Sequence, residues 1–187
     1  MIKIKETIKI TSRYTLRTLY ACDNVESLRE AVEQAVAWGV ELREADLRGA
    51  ELTDADLTCA DLTDADLTGA VLTGAVLTGA DLARAGLEDA DLTDANLRDA
   101  DLTGADLTGA VLRGALLVRA DLTHAVLRGA NLASSNLTEV VLADADLRGA
   151  NLRGADLTDA DLTYADLTGA DLTNADLTGA DLTNATR

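Results

Sequence analysis

Carboxylates are the most numerous groups in this chain that could do chemistry, and they recur at fixed positions. Leucine occupies every fifth position from Leu42 to Leu182, and the residue before it is most often aspartate. Residues 41–187 hold 28 acidic and 10 basic side chains, a net charge of −18. Residues 1–40 hold five acidic and six basic ones, a net charge of +1. The whole chain therefore has a net charge of −17. Regularly spaced carboxylates could hold cations loosely or keep a protein soluble.

Catalytic groups are scarce by comparison. The chain has a single histidine, His124, so imidazoles cannot cluster around a metal ion. No nucleophile, base and orienting group stand at positions that would point the same way. The sequence also lacks Gly-rich phosphate loops and the Gly-Gly-x-Gly-x-Asp repeat of calcium-binding solenoids. We therefore predict a protein that is not an enzyme, with no catalytic residues, no metal site and no cofactor.

The five-residue period of leucine determines what kind of element can bury it. On a helix, one such period advances well beyond a full turn, so successive leucines would spiral around the axis. On a flat strand they would point to opposite faces, because five is odd. Alanine recurs three residues after each leucine, at positions 45 to 185, with Ser135 and Val140 as the exceptions. The chain can bury both registers only by turning once per repeat in the same direction, which predicts a wound solenoid.

The repeats resemble a known family, the pentapeptide-repeat proteins. Segment 100–109, with the sequence Ala-Asp-Leu-Thr-Gly-Ala-Asp-Leu-Thr-Gly, is similar to the family consensus almost letter for letter. The resemblance covers residues 41–187. It implies an all-β solenoid, a right-handed quadrilateral β-helix with four repeats in each coil. Residues 41–187 would then form about seven coils, a rod of roughly 35 Å at a strand spacing of about 4.8 Å.

With four repeats per coil, every fourth repeat would stack on the same side, and this places Asp61, Asp81, Asp101 and Asp121 in an acidic ladder. One interpretation is that Asp and Asn suit the corner geometry and that charge keeps the solenoid soluble. The other follows from the resemblance, because one branch of the family protects DNA gyrase by occupying its DNA-binding surface. A DNA mimic would bind that type II topoisomerase and would not bind nucleic acid directly. This chain departs from that branch, since it has no phenylalanine and shows no inserted loop.

The coil from 111 to 130 departs most from the repeat, because apolar residues replace aspartate and arginine replaces threonine. One interpretation is drift, in which arginines relieve the repulsion between stacked carboxylates. The alternative is a partner-binding belt, since arginine beside apolar groups is typical of interface cores. A weaker neutral belt consists of Val71 and Val76. The candidate belt comprises Val111, Arg113, Leu116, Val118, Arg119, Val126, Arg128 and Arg148, the last expected to stack beside Arg128.

Residues 1–40, which we call the leader, lack the repeat and are predicted to form a separate small α+β module. Alternating isoleucines at positions 2, 4, 8 and 10 predict a strand, and a second extended stretch is expected over about 13–22, with Tyr14, Leu16 and Tyr20 on one side. A helix is expected to begin at Asp23, with Glu26 completing a capping box. The leader resembles the strand–helix module ahead of some bacterial and phage arrays of this family.

An open solenoid end exposes leucines and unpaired strand edges, so we expect the leader, residues 1–40, to cap the repeats of residues 41–187. A separate binding function for the leader is the alternative. The residues expected to form the cap are Leu28, Val32, Val36 and Trp38.

At the other end the repeats continue unchanged to Arg187, which predicts that the last coil frays or forms a homodimer with a second copy. Cys22 and Cys59 show no pairing pattern and are expected to be reduced thiols. No apolar run approaches the roughly 18 residues needed to span a bilayer, and no signal peptide is apparent. We therefore expect a cytoplasmic protein with no membrane partner. The sequence favours a non-enzymatic, acidic scaffold that binds an unidentified protein, with DNA mimicry as the alternative.

Overall fold

The computed structural model describes residues 7–23 and 25–187. In chain order it contains strand β1 at Ile8–Thr11, strand β2 at Thr18–Cys22, helix α1 at Leu28–Ala37 and a four-sided coil formed by the repeats. Within the described ranges, no helix has the length and apolar character that crossing a membrane requires.

The repeats form parallel β-bridges between residues four repeats apart, from Asp46–Asp66 to Asp166–Thr186. Each coil therefore has four sides, and one repeat forms each side. Every leucine of the period from Leu42 to Leu167 is at most 2% exposed, and the alanines that alternate with them line the same interior. The leucines share one dry axis, so the prediction of an all-β solenoid with four repeats per coil is confirmed.

Each side of the coil ends in a tight turn. The N–H of Ala45 donates to the C=O of Leu42 at 3.1 Å, and the same bond recurs in every repeat. The second central residue of all 29 turns, from Glu44 to Asn184, has a positive φ between 55° and 74°. This is type II geometry, which favours glycine and asparagine. Glycine occupies only 12 of these positions, so 17 corners hold another residue in the left-handed region.

The aspartate before leucine has a role in main-chain hydrogen bonding that the sequence interpretation missed. In a typical repeat, four of the five backbone N–H groups donate to backbone carbonyls. The fifth belongs to the residue after leucine and donates to the Asp or Asn side chain on the other side of that leucine, as Thr158 does to Asp156 at 3.0 Å. The Thr158 hydroxyl donates to the same oxygen at 2.6 Å. Aspartate thus lies on the straight side and supplies the last acceptor, whereas the corner lies beyond leucine.

Substitutions at Asp156 should separate this hydrogen-bonding role from charge. Asp156→Ala removes the acceptor of two donors, and we expect the free energy of unfolding to fall by about 1 kcal/mol. Asp156→Asn keeps an oxygen in place and should stay within about 0.5 kcal/mol of the parent. Urea denaturation followed by circular dichroism compares the two variants. Equal losses would show that the negative charge, and not the acceptor, stabilises the repeat.

Strand β1 covers the second half of the predicted first strand. Ile8 and Ile10 lie in β1, and Ile10 is buried, whereas Ile2 and Ile4 lie outside the described residues. The two strands pair antiparallel, with Ile10 opposite Tyr20. The first strand is therefore observed where the structure describes it.

The predicted second stretch over 13–22 is too long. Residues 13–15 form a turn, and strand β2 begins only at Thr18. Leu16 has a φ of 55° and is 77% exposed, and Tyr14 is 61% exposed, so neither shares the buried side with Tyr20. The physical reason is that a left-handed residue ends the extended conformation and reverses the chain.

The predicted start of the helix at Asp23 is wrong. Helix α1 begins at Leu28, and Ser27 is its N-cap, because the Ser27 hydroxyl accepts from the N–H of Glu30 at 3.2 Å. The Glu30 carboxylate in turn accepts from the N–H of Glu26. Ser27 and Glu30 thus make a reciprocal cap of the capping-box kind, displaced toward the C-terminus from the predicted one.

The leader packs on the first coil through α1 and the β1–β2 hairpin. Val32 is fully buried, and Leu28 and Val36 are partly buried against the same hydrophobic core. Trp38 does not cover the coil as predicted, since it is 69% exposed and lies edge-to-face on Tyr20 with ring centroids 6.0 Å apart. Trp38 caps the C-terminal end of α1, where the chain turns toward the repeats, and this position leaves the indole in solvent.

Hydrogen bonds also join the leader to the exposed edge of the first coil. They involve both backbone and side-chain groups of the leader, and each reaches a different side of the coil. Three of these bonds are the N–H of Asp46 to the C=O of Thr11 at 2.7 Å, a guanidinium N–H of Arg29 to the C=O of Thr53 at 2.9 Å, and the N–H of Asp56 to the carboxylate of Glu33 at 3.0 Å. At the first corner, the N–H of Arg13 also donates to the C=O of Glu44 at 2.7 Å.

Candidate functional site

The outer surface has four faces, which we number by the first leucine that each one covers. Face 1 begins at Leu42, face 2 at Leu47, face 3 at Leu52 and face 4 at Leu57, and each continues with every fourth leucine along the chain. Face 1 adjoins faces 2 and 4, and it lies opposite face 3. The two outward positions on each face are the residues immediately before and after leucine.

Face 1 carries the predicted acidic ladder. Asp61, Asp81, Asp101 and Asp121 are joined in sequence by parallel bridges, and Val141 follows them. One oxygen of each carboxylate accepts the N–H of the residue after leucine, at 2.8 Å for Asp101 and 2.9 Å for Asp121. These bonds fix the carboxylates, so the second oxygens form a regular outward column. Asp61 is paired with Arg43 at 2.6 Å, so the negative charge of the first ladder residue is neutralised.

The charge is distributed unequally among the four faces. The outward positions of face 1 hold seven carboxylates and one arginine, a net charge of −6. Those of face 2 hold six carboxylates and three arginines, a net of −3, and those of face 4 hold three carboxylates and one arginine, a net of −2. Face 3 has three carboxylates and two arginines, a net of −1. The rod therefore has one strongly acidic face and, opposite it, one that is nearly neutral.

The structure divides the predicted partner-binding belt among three faces. Val111 and Arg113 lie on face 3, and Leu116 and Val118 lie on face 4, with Arg119 at the following corner. The other three belt residues, Val126, Arg128 and Arg148, lie on face 2, which is opposite face 4. A rigid partner that contacts faces 3 and 4 cannot reach all eight residues.

Most of the belt arginines are already paired with aspartates. Arg119 makes two hydrogen bonds to Asp99, at 2.8 and 3.0 Å. Arg128 and Arg148 both bind Asp146, which lies between them, so the two arginines do not simply stack. The guanidinium of Arg148, with help from Arg128, holds the pKa of the Asp146 carboxyl well below its usual range. These arginines are therefore already engaged in ion pairs with neighbouring aspartates.

Arg113 differs from the other arginines of the belt. No carboxylate among the described residues lies within ion-pair distance of it, and its side chain is exposed. Val111 lies on the same face, Leu116 and Val118 lie on the adjoining face beyond the corner at Gly114, and all three are half-buried. We call these four residues, Val111, Arg113, Leu116 and Val118, the Gly114 edge.

The earlier neutral belt lies on the same two faces as the Gly114 edge. Val71 lies on face 3 and Val76 on face 4, two coils before Val111 and Leu116. Their spacing of two full coils is visible in the sequence and indicates one shared surface, which sequence reasoning missed by treating the two belts separately.

A groove with a volume of about 620 Å³ lies at the start of the solenoid. It lies between the β1–β2 hairpin and residues 39–44 of the first coil, and it is lined by polar and aliphatic side chains. In the part of the chain that the structure describes, no group of three or more His, Cys, Asp or Glu residues could hold a metal ion. The groove had no signal in the sequence, because it depends on how the leader sits on the coil.

Acid should destabilise the protein. Hydrogen bonds from Thr158 hold the pKa of Asp156 below its usual range, and hydrogen bonds from Arg84 do the same for Asp64. A carboxyl whose pKa is lower in the folded state contributes stability above its unfolded pKa of about 3.9 and loses it as pH falls through the folded value. We therefore expect the urea midpoint to fall as pH drops from about 5 toward 3. A midpoint that rises on acidification would mean that relief of repulsion dominates.

The family model for pentapeptide repeats matches the chain in eight copies. The matches cover residues 39–74, 60–99, 95–133, 115–154 and 150–186. The chain belongs to this family, and its repeats form the right-handed quadrilateral β-helix of that family, as predicted.

Several solved structures are similar to this chain. HetL, a pentapeptide repeat protein involved in heterocyst differentiation regulation from the cyanobacterium Nostoc sp. strain PCC 7120, is 37% identical with a TM-score of 0.60, over 74% of this chain and 72% of HetL. The Nostoc PCC 7120 pentapeptide repeat protein alr5209 is 40% identical with a TM-score of 0.47, over 55% of this chain and 84% of alr5209. QnrB1, a plasmid-mediated fluoroquinolone resistance protein, is 25% identical with a TM-score of 0.36, over 71% and 77%. Among curated protein sequences, as distinct from solved structures, none matches the chain.

Proposed function

We propose that this protein is a non-enzymatic scaffold that binds another protein through the Gly114 edge. The observation that supports this function is an arginine with no ion-pair partner in the described ranges, which shares the two least charged faces of an acidic rod with three half-buried aliphatic side chains. Arginine and apolar groups are enriched at the centres of interfaces, whereas charged rims contribute less. A partner that fits presents an apolar patch with a carboxylate for Arg113. HetL is involved in regulation of differentiation, a role that suits binding more than catalysis.

The repeat itself provides a clean variant for testing the edge. Replacing Val111 and Leu116 by aspartate removes the apolar surface and also restores the consensus acceptor for the N–H groups of Arg113 and Val118. The double variant should therefore fold as well as the parent. Val141→Asp is the matched control, because it makes the same change on face 1.

The measurement is affinity capture of partners from a bacterial lysate, with each variant as bait. We expect the V111D/L116D variant to lose a captured protein by about tenfold or more, and V141D to retain it. Equal capture by both variants would overturn the assignment to this edge, and the absence of any captured protein would overturn the scaffold function.

DNA mimicry against a type II topoisomerase such as DNA gyrase is the second candidate, and the fixed carboxylate column on face 1 favours it. A charge of −18 over a rod of roughly 35 Å amounts to one negative charge per about 2 Å, close to the roughly 1.7 Å of duplex DNA. Asparagine at 81, 101 and 121 would remove three charges and keep the acceptors. Gyrase supercoiling should respond to the parent at micromolar concentration and not to this triple variant, and no response to the parent would eliminate the candidate.

We also propose that the protein forms a homodimer and resides in the cytoplasm. The leucines of the last coil, at positions 172, 177 and 182, are only partly buried, which supports a homodimer formed through that coil. A monomer mass by light scattering at micromolar concentration would contradict it. We propose a cytoplasmic setting, which the free thiols of Cys22 and Cys59 support. Detection of the protein in a secreted or membrane fraction would contradict that location.

A further inference from the structure

The leader covers the edge of the first coil unequally. On faces 2, 3 and 4 it makes one hydrogen bond to a residue that flanks the first leucine of the face. Such bonds protect an exposed edge, which otherwise presents unpaired backbone groups to any extended chain. At face 1 the leader bonds the corner residue instead, since the N–H of Arg13 donates to the C=O of Glu44 at 2.7 Å. Three of the four faces therefore have a bonded residue beside their first leucine.

The edge of face 1 is open. Glu41 and Arg43 flank Leu42 there, and no residue in the described ranges donates to their backbone carbonyls or accepts the N–H of Glu41. One coil later the equivalent carbonyl is used, since Asp61 accepts from the N–H of Leu42 at 2.9 Å. Glu41 and Arg43 are exposed, so these backbone groups remain available to a partner.

The groove of about 620 Å³ lies directly above this open edge. One wall is formed by the hairpin, with Thr15, Arg17 and Leu19, and the floor by residues 39–44 of the first coil. The groove is thus bounded by a free strand edge below and by side chains of the β1–β2 hairpin at the side. An added strand needs both of these features.

We propose that the groove binds an extended segment of a partner protein by strand addition on the edge of face 1. The segment donates to the carbonyls of Glu41 and Arg43, as each coil does to the next. Its outward side chain takes the position above Glu41, which begins the column that continues through Asp61 and Asp81. Opposite charges in neighbouring strands attract and like charges repel, so this side chain is lysine or arginine. A second outward side chain lies above Arg43, which is already paired with Asp61 at 2.6 Å, so an uncharged residue fits there. The partner segment is therefore extended, with apolar residues pointing inward and one basic and one uncharged residue pointing outward.

This inference deepens the proposed function by adding a second docking site, and it can fail independently. The groove is at the first coil, whereas the Gly114 edge lies on other faces more than two coils away. The V111D/L116D variant should bind a segment in the groove as the parent does, even when capture through the edge is lost.

Trp38 provides the readout, because it is the only tryptophan in the chain and directly precedes Gly39, which lines the groove. The probe is a short, end-capped peptide, long enough to cover one side of the coil, in which every second residue is valine and the residues between are alternately lysine and threonine. We expect a saturable change in the Trp38 fluorescence. Two further versions of the peptide carry N-methyl groups on alternate backbone nitrogens, in the two possible phases, the odd-numbered or the even-numbered residues. One of the two should bind about tenfold more weakly than the unmethylated peptide. Undiminished binding in both phases, or no saturable signal with the parent peptide, would overturn strand addition.

Charge reversal at the edge tests the identity of the outward side chain. Glu41→Lys should weaken the lysine peptide by about tenfold and improve a matched peptide that carries glutamate instead. Glu51→Lys is the control, because it makes the same change on face 3, whose edge the leader occupies. It should leave both peptides unaffected. Equal responses to the two variants would show general charge attraction and would overturn the proposed site.

Discussion

Replacing Leu107 by alanine is expected to lower the free energy of unfolding by about 2–5 kcal/mol, toward the upper part of that range. Leu107 is fully buried on the axis of the central coils. The backbone around the resulting cavity cannot move inward to fill it, because hydrogen bonds between coils hold it in place. One of them is the bond from the N–H of Leu107 to the C=O of Val126 at 2.7 Å. The cost of a large-to-small substitution rises when the site cannot relax.

Leu177→Ala is the matched control for Leu107→Ala. Leu177 occupies an equivalent register in the last coil but is only partly buried, with no coil stacked beyond it in the structure. We expect it to cost less than half as much in chemical denaturation, since a fraction of its surface already faces water. Equal losses at the two positions would contradict a solenoid in which burial depends on both neighbouring coils.

Gly109→Val is expected to be the second large loss. Gly109 occupies a corner with a φ of +71°, and a Cβ there would lie 2.4 Å from the Oδ1 of Asp89 in the preceding coil. The left-handed conformation alone costs about 1–2 kcal/mol, and a β-branched residue is especially unfavourable there. Displacing the Asp89 carboxylate adds to this cost.

Gly129→Val isolates the conformational part of that cost. Gly129 has a φ of +63°, and nothing lies within 4 Å of the position that a Cβ would take there. It should therefore be the less damaging of the two variants, and Asp89→Gly should partly rescue Gly109→Val. A Gly129 variant as unstable as the Gly109 variant would show that backbone conformation accounts for the whole effect. Thermal and urea denaturation of the parent and these variants provide the comparison.

The wound solenoid could be predicted from the sequence, because leucines at every fifth position can all be buried only if the chain turns once in each repeat. The leucines from Leu42 onward require a turn in every repeat, and the structure has one in every repeat. The number of sides did not follow from that spacing, since coils with other numbers of corners bury leucine equally well. It came from the family resemblance. The role of aspartate also escaped the sequence, because it depends on which N–H groups the coil leaves without a backbone acceptor.

Local signals in the leader were ambiguous for a different reason. Asp23 and Ser27 both precede an acidic residue by three positions, and either could cap a helix. In the structure Ser27 is the N-cap. The turn at Leu16, a leucine with positive φ, had no residue signal at all.

The candidate site could be predicted only in part. Apolar and arginine substitutions identified the coil from 111 to 130, but the sequence interpretation did not assign them to faces. Ion pairs were misjudged because an arginine after leucine reaches the aspartate of the next coil on the same face, as Arg43 does with Asp61 and Arg153 does with Asp171. Applied along the chain, this spacing separates the paired arginines from Arg98 and Arg113, which have Leu116 and Asn131 at the corresponding positions. The groove above face 1 required the placement of the leader.

The most direct test of the proposed recognition mode is the salt dependence of partner capture, from about 0.05 to about 0.5 M sodium chloride. The Gly114 edge binds mainly through apolar contact, so we predict that capture changes by no more than about twofold as exposed charges become screened. Capture that collapses with salt, survives the V111D/L116D substitutions and disappears when Asp81, Asp101 and Asp121 become asparagine would contradict the account and assign binding to the acidic face.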